Sequence, residues 1–216
     1  MLNNPLFKDR KEAGEQLALS LEKYKDKDAL ILGIPRGGVE IAYYVAKYLN
    51  AEMSVIISKK IPHPFHPEYG VGAISEGNIV YIPPNISVNI ENLYPRIEEL
   101  KEEIHRRVIM YRGGKPLPEI KDRTVIIVDD GIATGVTFVP AIRLCAKMKA
   151  AKVVIAAPVS GKDLNMDLHE ADEHHILYQP EQFYGVGLAY KSFPQLTDEE
   201  VLALLKKANE LKLHPK

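Results

Sequence analysis

The sequence predicts an α/β fold, an open parallel sheet flanked by helices, and three observations lead there. Short apolar runs recur at 29–34 (ALILGI), 53–58 (MSVIIS), 124–128 (TVIIV) and 153–157 (VVIAA), and they read as buried strands. Stretches with apolar residues three and four apart stand between several of them, the pattern of a strand–helix–strand unit. Two runs lead into glycine-bearing turns, PRGG at 35–38 and DDGIATG at 129–135. Open parallel sheets bind ligands beyond such strand ends.

Each element has its own signal. Ala13, Leu17, Leu21 and Tyr24 step at helical spacing and predict a first helix within 9–24. After the strand at 29–34 and its PRGG turn, 39–49 predicts a helix, and 53–58 the second strand. Residues 59–88 hold many of the prolines and several glycines. GVGAIS and NIVYI there could pair as a hairpin around Glu76-Gly77, with the rest a long loop of the kind that often serves as a lid. Leu93, Ile97, Leu100, Ile104 and Val108 predict a long amphipathic helix ended by Gly113-Gly114. A strand at 124–128, a helix at 138–148 and a strand at 153–157 follow. Residues 158–195 read as irregular, with a possible strand at 174–178. Thr197-Asp198-Glu199-Glu200 is a capping box that opens a final helix. The expected organisation is one domain over 1–216, with a core at about 25–158. The two ends, 1–24 and 159–216, would form a small additional subdomain.

Composition narrows the function. Among 216 residues, 46% are hydrophobic, and 28 Lys and Arg against 29 Asp and Glu leave no global basic field. Nucleic acid is therefore not the expected partner. The single cysteine, Cys145, excludes an internal disulfide and a cysteine-rich zinc site, and AIRLCAKM reads as a buried helix around it. The polar start MLNNPLFKDRKEAGEQ and the lack of ~18 consecutive apolar residues predict a soluble, cytoplasmic protein with no membrane partner.

VIIVDDGIATGVT, at 125–137, carries the chemistry. Asp129 and Asp130 stand at a strand end, and Gly131, Ile132, Ala133, Thr134, Gly135, Val136 and Thr137 form a loop ahead of a helix. Free amides at a helix N-terminus, hydroxyl donors and close-approaching glycines suit a phosphate monoester. Acceptor-only carboxylates suit sugar hydroxyls or a cation instead. A ligand with both ends, such as a ribose 5-phosphate, satisfies the whole string. A Walker loop would need Lys where Val136 stands, and neither GIPRGG nor DDGIATG is a dinucleotide fingerprint. His63 and His66, with Glu68 near, read as a loop pair rather than a metal site, and the acidic, histidine-bearing run at 170–175 as a solvated turn.

VIIVDDGIATGVT resembles the phosphoribosyl pyrophosphate (PRPP) motif of type I phosphoribosyltransferases. IPRGG, KKIPHPFHPEYGVGA and FYGVG…FPQLTDEEV extend the similarity over almost the full length, toward poorly characterised prokaryotic phosphoribosyltransferase-like proteins. The resemblance implies the type I fold with its small hood subdomain. It implies pyrophosphate binding by Arg36, Gly37 and Gly38, with Lys59 or Lys60, at the end of the second strand, as a further basic contact. Asp129 and Asp130 would fix the ribose, and 131–137 the 5′-phosphate. QFYGVGLAYKSF resembles the family's hood, where Tyr184, with Phe183 beside it, would stack on a base. The acid that hypoxanthine-guanine enzymes carry after this point is replaced by Ala189. The loop at 61–88 would close over the site.

The implied activity transfers ribose 5-phosphate from PRPP to a nitrogen acceptor, a nucleobase by expectation, as in nucleoside salvage. Pyrophosphate leaves, and the cofactor is Mg²⁺, held mainly by PRPP with Asp129 or Asp130 as possible protein ligands. A homodimer is expected. The alternative is a non-catalytic PRPP- or nucleotide-binding sensor on the same fold.

Overall fold

The computed structural model describes residues 5–66, 69–86 and 88–213. Helix α1 (Arg10–Ser20) is capped by Asp9, whose side chain accepts from the Glu12 amide. Strand β1 (Leu30–Gly33), helix α2 (Gly37–Leu49) and strand β2 (Glu52–Val55) form the first crossover. Strands β3 (Ser58–Pro62), β4 (Gly70–Ser75) and β5 (Ile79–Tyr81) make a separate antiparallel sheet. Helix α3 (Tyr94–Arg112) ends at Gly113, whose left-handed backbone returns its amide to the Ile109 carbonyl. Strand β6 (Thr124–Val128), helix α4 (Phe138–Lys147), strand β7 (Lys152–Val159), strand β8 (Glu173–Tyr178) and helix α5 (Asp198–Leu213) complete the chain. At the start of α5 the Glu200 amide donates to Thr197 and the Thr197 amide donates to Glu200, the capping box that the sequence predicts.

The main sheet is parallel throughout, in the order β2-β1-β6-β7-β8. Its strands bury both faces. Ile31, Ile126, Val128 and Val154 face the layer with α1, α2 and α5, whereas Leu30, Leu32, Val125, Ile127 and Ile155 face α4. That is why these strands read as unbroken apolar runs instead of alternating ones. The chain leaves β1 outward to β2 and later returns on the other side of β1 to form β6. The order therefore reverses between β1 and β6, where a crevice opens beyond the strand ends.

Two sequence expectations need correction here. The run at 53–58 is not one strand. The Ile56 amide makes its bond to the Gly33 carbonyl, the Ile57 amide turns to Glu76, and Ser58 pairs with Ser75 in the second sheet. The start of 59–88, read as loop, is accordingly strand. The expected hairpin around Glu76-Gly77 is present as β4 and β5, and β3 adds a third strand containing Lys59 and Lys60. The possible strand at 174–178 is real and forms the edge of the main sheet. The chain ends also meet: the Leu6 and Phe7 amides donate to the Ala189 carbonyl, and Lys191 donates to the Phe7 carbonyl. Glu68 lies outside the described residues. Among those described, no helix is long and apolar enough to cross a membrane.

Candidate functional site

The turns that follow β1 and β6 meet at the reversal point of the sheet. Residues 35–38 leave β1, whose Gly33 is in register with Val128 of β6. Asp129 and Asp130 come immediately after Val128. The approach is close enough to require glycine on the β1 side. A Cβ at Gly37 would lie 1.8 Å from Asp130 Oδ2, and one at Gly38 would lie 2.6 Å from the Val128 carbonyl oxygen. The Pro35–Arg36 peptide is cis. Thus the first turn of α2, where the Gly37 and Gly38 amides donate to no protein acceptor among the described residues, stands directly against the acid pair.

The carboxylates are not equivalent. Asp129 Oδ1 accepts from the Asp130 amide at 2.8 Å. Asp130 Oδ2 accepts from Arg10 Nε, also at 2.8 Å, across 120 positions of sequence. Burial, reinforced by the neighbouring Asp130 charge, pushes the Asp129 carboxyl well above the usual aspartate range. Burial also raises Asp130, while the Arg10 guanidinium opposes that rise.

Beyond the acids the loop at 131–137 is tied to the neighbouring strand and leaves several amides free. The Ile132 amide bonds the Val159 carbonyl and the Gly161 amide bonds Ile132, which pins the loop to the end of β7. Gly135 has φ of +79° and passes close to Leu168, a backbone that a larger residue fits poorly. Among the described residues, the amides of Ala133, Thr134, Gly135 and Thr137 donate to no protein acceptor. They precede α4, so its positive dipole end lies behind them. No side chain from Gly131 to Thr137 is ionisable.

The remaining expected residues are placed as follows. Arg36 is the residue before α2, and its guanidinium lies 3.9 Å from Asp198 at the start of α5. Lys59 pairs with Glu103 of α3 at 2.7 Å. Strand alternation sends Lys60 to the opposite face, so the two lysines do not act as a pair. Lys60 instead lines a cavity of about 770 Å³ between the second sheet and the 163–167 segment. Ala133, Thr134 and Val136 form one wall of that cavity, and Tyr81, Asn165 and Asp167 another. Tyr81 OH donates to Asp167 Oδ2 at 2.5 Å, and the Asn165 amide donates to the Thr134 carbonyl at 2.9 Å. Phe183 packs over Gly161, beside the Ala133 carbonyl, while Tyr184 is 71% exposed. Neither lines that cavity.

Asp129 and Asp130 are the candidate ligands for Mg²⁺. This ion takes one or two carboxylates and completes its shell with water and substrate phosphates. Asp129 and Asp130 offer hard oxygens of that kind. Among the described residues, no group of three or more His, Cys, Asp or Glu side chains could hold a metal by itself. The site fits an ion that arrives with a phosphorylated ligand.

Sequence reading missed Arg10, Tyr190 and Asp198. Tyr190 OH donates to the Asp130 carbonyl at 2.5 Å. Each reaches the site from a distant part of the chain, and nothing in its local spacing distinguishes it from an ordinary helix or loop residue.

Residues 4–177 match the model of the phosphoribosyl transferase domain. "Putative phosphoribosyl transferase Rv0571c" of Mycobacterium tuberculosis is 37% identical over 209 residues, 94% of this chain but 47% of that protein. The chain thus spans about half the length of this curated relative. The crystal structure of TT1426 from Thermus thermophilus superposes with a TM-score of 0.79 at 32% identity, covering 93% of this chain and 98% of that one. The transcriptional regulator GfcR of Methanosphaera stadtmanae is 27% identical over 135 residues, 62% of this chain and 47% of the regulator. With the family model spanning most of its length and the twin-aspartate loop at the point where the sheet reverses, the chain belongs to the phosphoribosyl transferase domain family.

Proposed function

We propose that this protein binds PRPP with Mg²⁺ and transfers the phosphoribosyl group to a nitrogen nucleophile, a nucleobase by class, releasing pyrophosphate. One observation carries the reading: unpaired backbone donors and a carboxylate pair sit on one turn, facing the glycine turn of the neighbouring strand. The amides of Ala133, Thr134, Gly135 and Thr137 receive the 5′-phosphate. The acid pair lies where the ribose hydroxyls fall. Arg36 and the first amides of α2 face the pyrophosphate.

The chemistry follows from that placement. As the bond from the anomeric carbon to pyrophosphate breaks, positive charge grows on the sugar and negative charge on the leaving group. Arg36 and the α2 terminus stabilise the leaving charge. Asp129 or Asp130 would hold Mg²⁺ brought in with PRPP, and the ion would supply charge neutralisation at the pyrophosphate. The anchored phosphate and hydroxyls hold the anomeric carbon in line for attack. Because no side chain at 131–137 titrates, the acceptor presents its nucleophilic nitrogen without a base from this loop.

A second reading, a PRPP- or nucleotide-binding regulator, draws support from the similarity to GfcR. One experiment separates them. Protein, PRPP and Mg²⁺ are incubated with a panel of nucleobases and small amines, and pyrophosphate release is measured. Release with one acceptor identifies a transferase and its substrate class. Tight PRPP binding with no release across the panel supports the regulator.

A further inference from the structure

We infer that Asn165, locked in place by Tyr81 of the second sheet, is a positioning residue for the 131–137 loop: its backbone N–H sets the direction in which the Gly135 amide points. This rests on the proposed PRPP site, in which that amide receives the 5′-phosphate.

The loop is tied at two alternate carbonyls. Ile132 forms a short parallel bridge with Ser160, and its carbonyl accepts from the Gly161 amide at 3.1 Å. The Thr134 carbonyl accepts from the Asn165 amide at 2.9 Å. The peptides of the loop are trans, and in a planar trans peptide the N–H points opposite to the C=O. Two carbonyls turned toward 161–165 therefore turn the Ala133 and Gly135 amides away from it. The first tie extends β7 and belongs to the sheet. The second does not, because Asn165 lies in the irregular stretch between β7 and β8. It also acts beside Gly135, whose φ is +79°. Without a side chain there, the Thr134–Gly135 peptide can turn over at little steric cost. A bond from outside the loop has to choose its face.

Side chains hold Asn165 where that bond needs it. Its Oδ1 accepts from the Asp167 amide at 2.8 Å and opens a short helical turn at Met166–Glu170. Its Nδ2 donates to the Tyr81 hydroxyl at 2.8 Å, and that hydroxyl donates onward to Asp167 Oδ2 at 2.5 Å. Tyr81 is buried, and the Arg143 guanidinium of α4 lies 4.9 Å from its ring centre. Leu168, from the same short turn, is buried against Gly135, where a Cβ would fall 2.5 Å from its Cδ1. One hydroxyl of the second sheet thus fixes Asn165 and Asp167 together, and the segment they form bonds Thr134 and packs on Gly135.

Calorimetry with ribose 5-phosphate and, separately, with pyrophosphate and Mg²⁺ tests this. Asn165 has φ of −57°, which proline adopts, so Asn165→Pro removes the donor N–H at an unchanged φ. Asn165→Ala removes the side chain and keeps the N–H. Asn165→Pro should weaken ribose 5-phosphate binding by about tenfold, the loss of a hydrogen bond to a charged group, and Asn165→Ala and Tyr81→Phe by about threefold. Pyrophosphate binding should stay within about twofold in all three. Equal losses for the two ligands, or an Asn165→Pro loss no larger than that of Asn165→Ala, overturn the inference. Should Asn165→Pro fail to fold, Tyr81→Phe carries the test, and unchanged ribose 5-phosphate affinity in it overturns the inference. Carbon NMR reads the tie without a ligand. The Thr134 carbonyl resonance should move upfield in Asn165→Pro, as for an acceptor that has lost its hydrogen bond, and an unmoved resonance overturns the inference whatever binds. If the unmutated chain binds no ribose 5-phosphate while that shift is present, the PRPP reading fails, and the ligand role of Asn165 fails with it, leaving only its bond to Thr134.

Discussion

Gly38→Ala isolates the close approach on which the site depends. Gly38 is the second residue of α2, where alanine is ordinarily better than glycine by about 1 kcal/mol. Here the added Cβ would lie 2.6 Å from the Val128 carbonyl oxygen and 2.8 Å from Asp129 Cα. Both neighbours are backbone, and that carbonyl is fixed by the Ile34 amide at 2.9 Å. No side-chain rotation relieves the overlap. The start of α2 must retreat by roughly 1 Å to reach ordinary carbon contact distances. Overpacking of this kind costs about 1–3 kcal/mol, which outweighs the propensity gain. The expected net loss is about 1–2 kcal/mol, a fall in midpoint of about 2–8 °C for a chain of this size. The same retreat separates the glycine turn from the acid pair, and misplacement on this scale lowers turnover by about a hundredfold. Thermal denaturation and pyrophosphate calorimetry read both effects. A raised midpoint with undiminished pyrophosphate affinity would mean that helix propensity dominates and that the two turns need not touch.

Three other outcomes follow from the same geometry. Arg36→Ala should weaken pyrophosphate binding by about tenfold and ribose 5-phosphate binding much less; equal losses in calorimetry would reject its placement at the leaving group. Arg112, 6% exposed, forms a paired contact with Glu76 and donates to the Val55 carbonyl at 2.8 Å. Arg112→Ala should cost about 3–5 kcal/mol and Arg112→Met with Glu76→Leu far less, so a double variant as unstable as the single would contradict the buried-pair argument. Asp129 has a folded pKa above its unfolded value, so the folded state binds the extra proton and stability falls as pH rises through that window. Asp129→Asn should therefore raise the thermal midpoint at pH 8, with the gain fading as pH falls toward about 4, and a pH-independent gain would refute that origin.

The parts of the fold legible in the sequence were those set by local periodicity. Ile31 and Ile126 face one core layer and Leu30 and Val125 the other, and such two-sided burial leaves an apolar run that any reading recovers. The motif at 125–137 was legible because one short stretch holds the acids, the cradle and the helix start. The boundary at Ile56–Ile57 was not. Both residues are buried, and only their hydrogen-bond partners, Gly33 and Glu76, reveal that the chain changes sheets between them. Arg10 was invisible for a different reason. Its role depends on Asp130 and Pro194, which lie far along the chain, and no spacing within α1 encodes them.

The second sheet changes how the site is to be shielded from water. The sequence suggests a loop that closes as a whole, but the base of this sheet is bonded to the same helix that follows the 131–137 loop. Ser58 Oγ donates to the Thr137 carbonyl at 2.7 Å, Ser75 Oγ donates to the Pro140 carbonyl at 3.0 Å, and Lys59 pairs with Glu103 on α3. At its far side, Tyr81 is bonded to Asn165, whose amide in turn holds Thr134. A rigid swing of the sheet would break all of these bonds at once, at about 1 kcal/mol or more for each. The sheet is therefore better described as a wall of the site than as its lid. In the proposed transfer, exclusion of water falls to the segments that the wall carries, 63–66 and 82–86, and to the 190–194 segment held through Phe193 to Arg10.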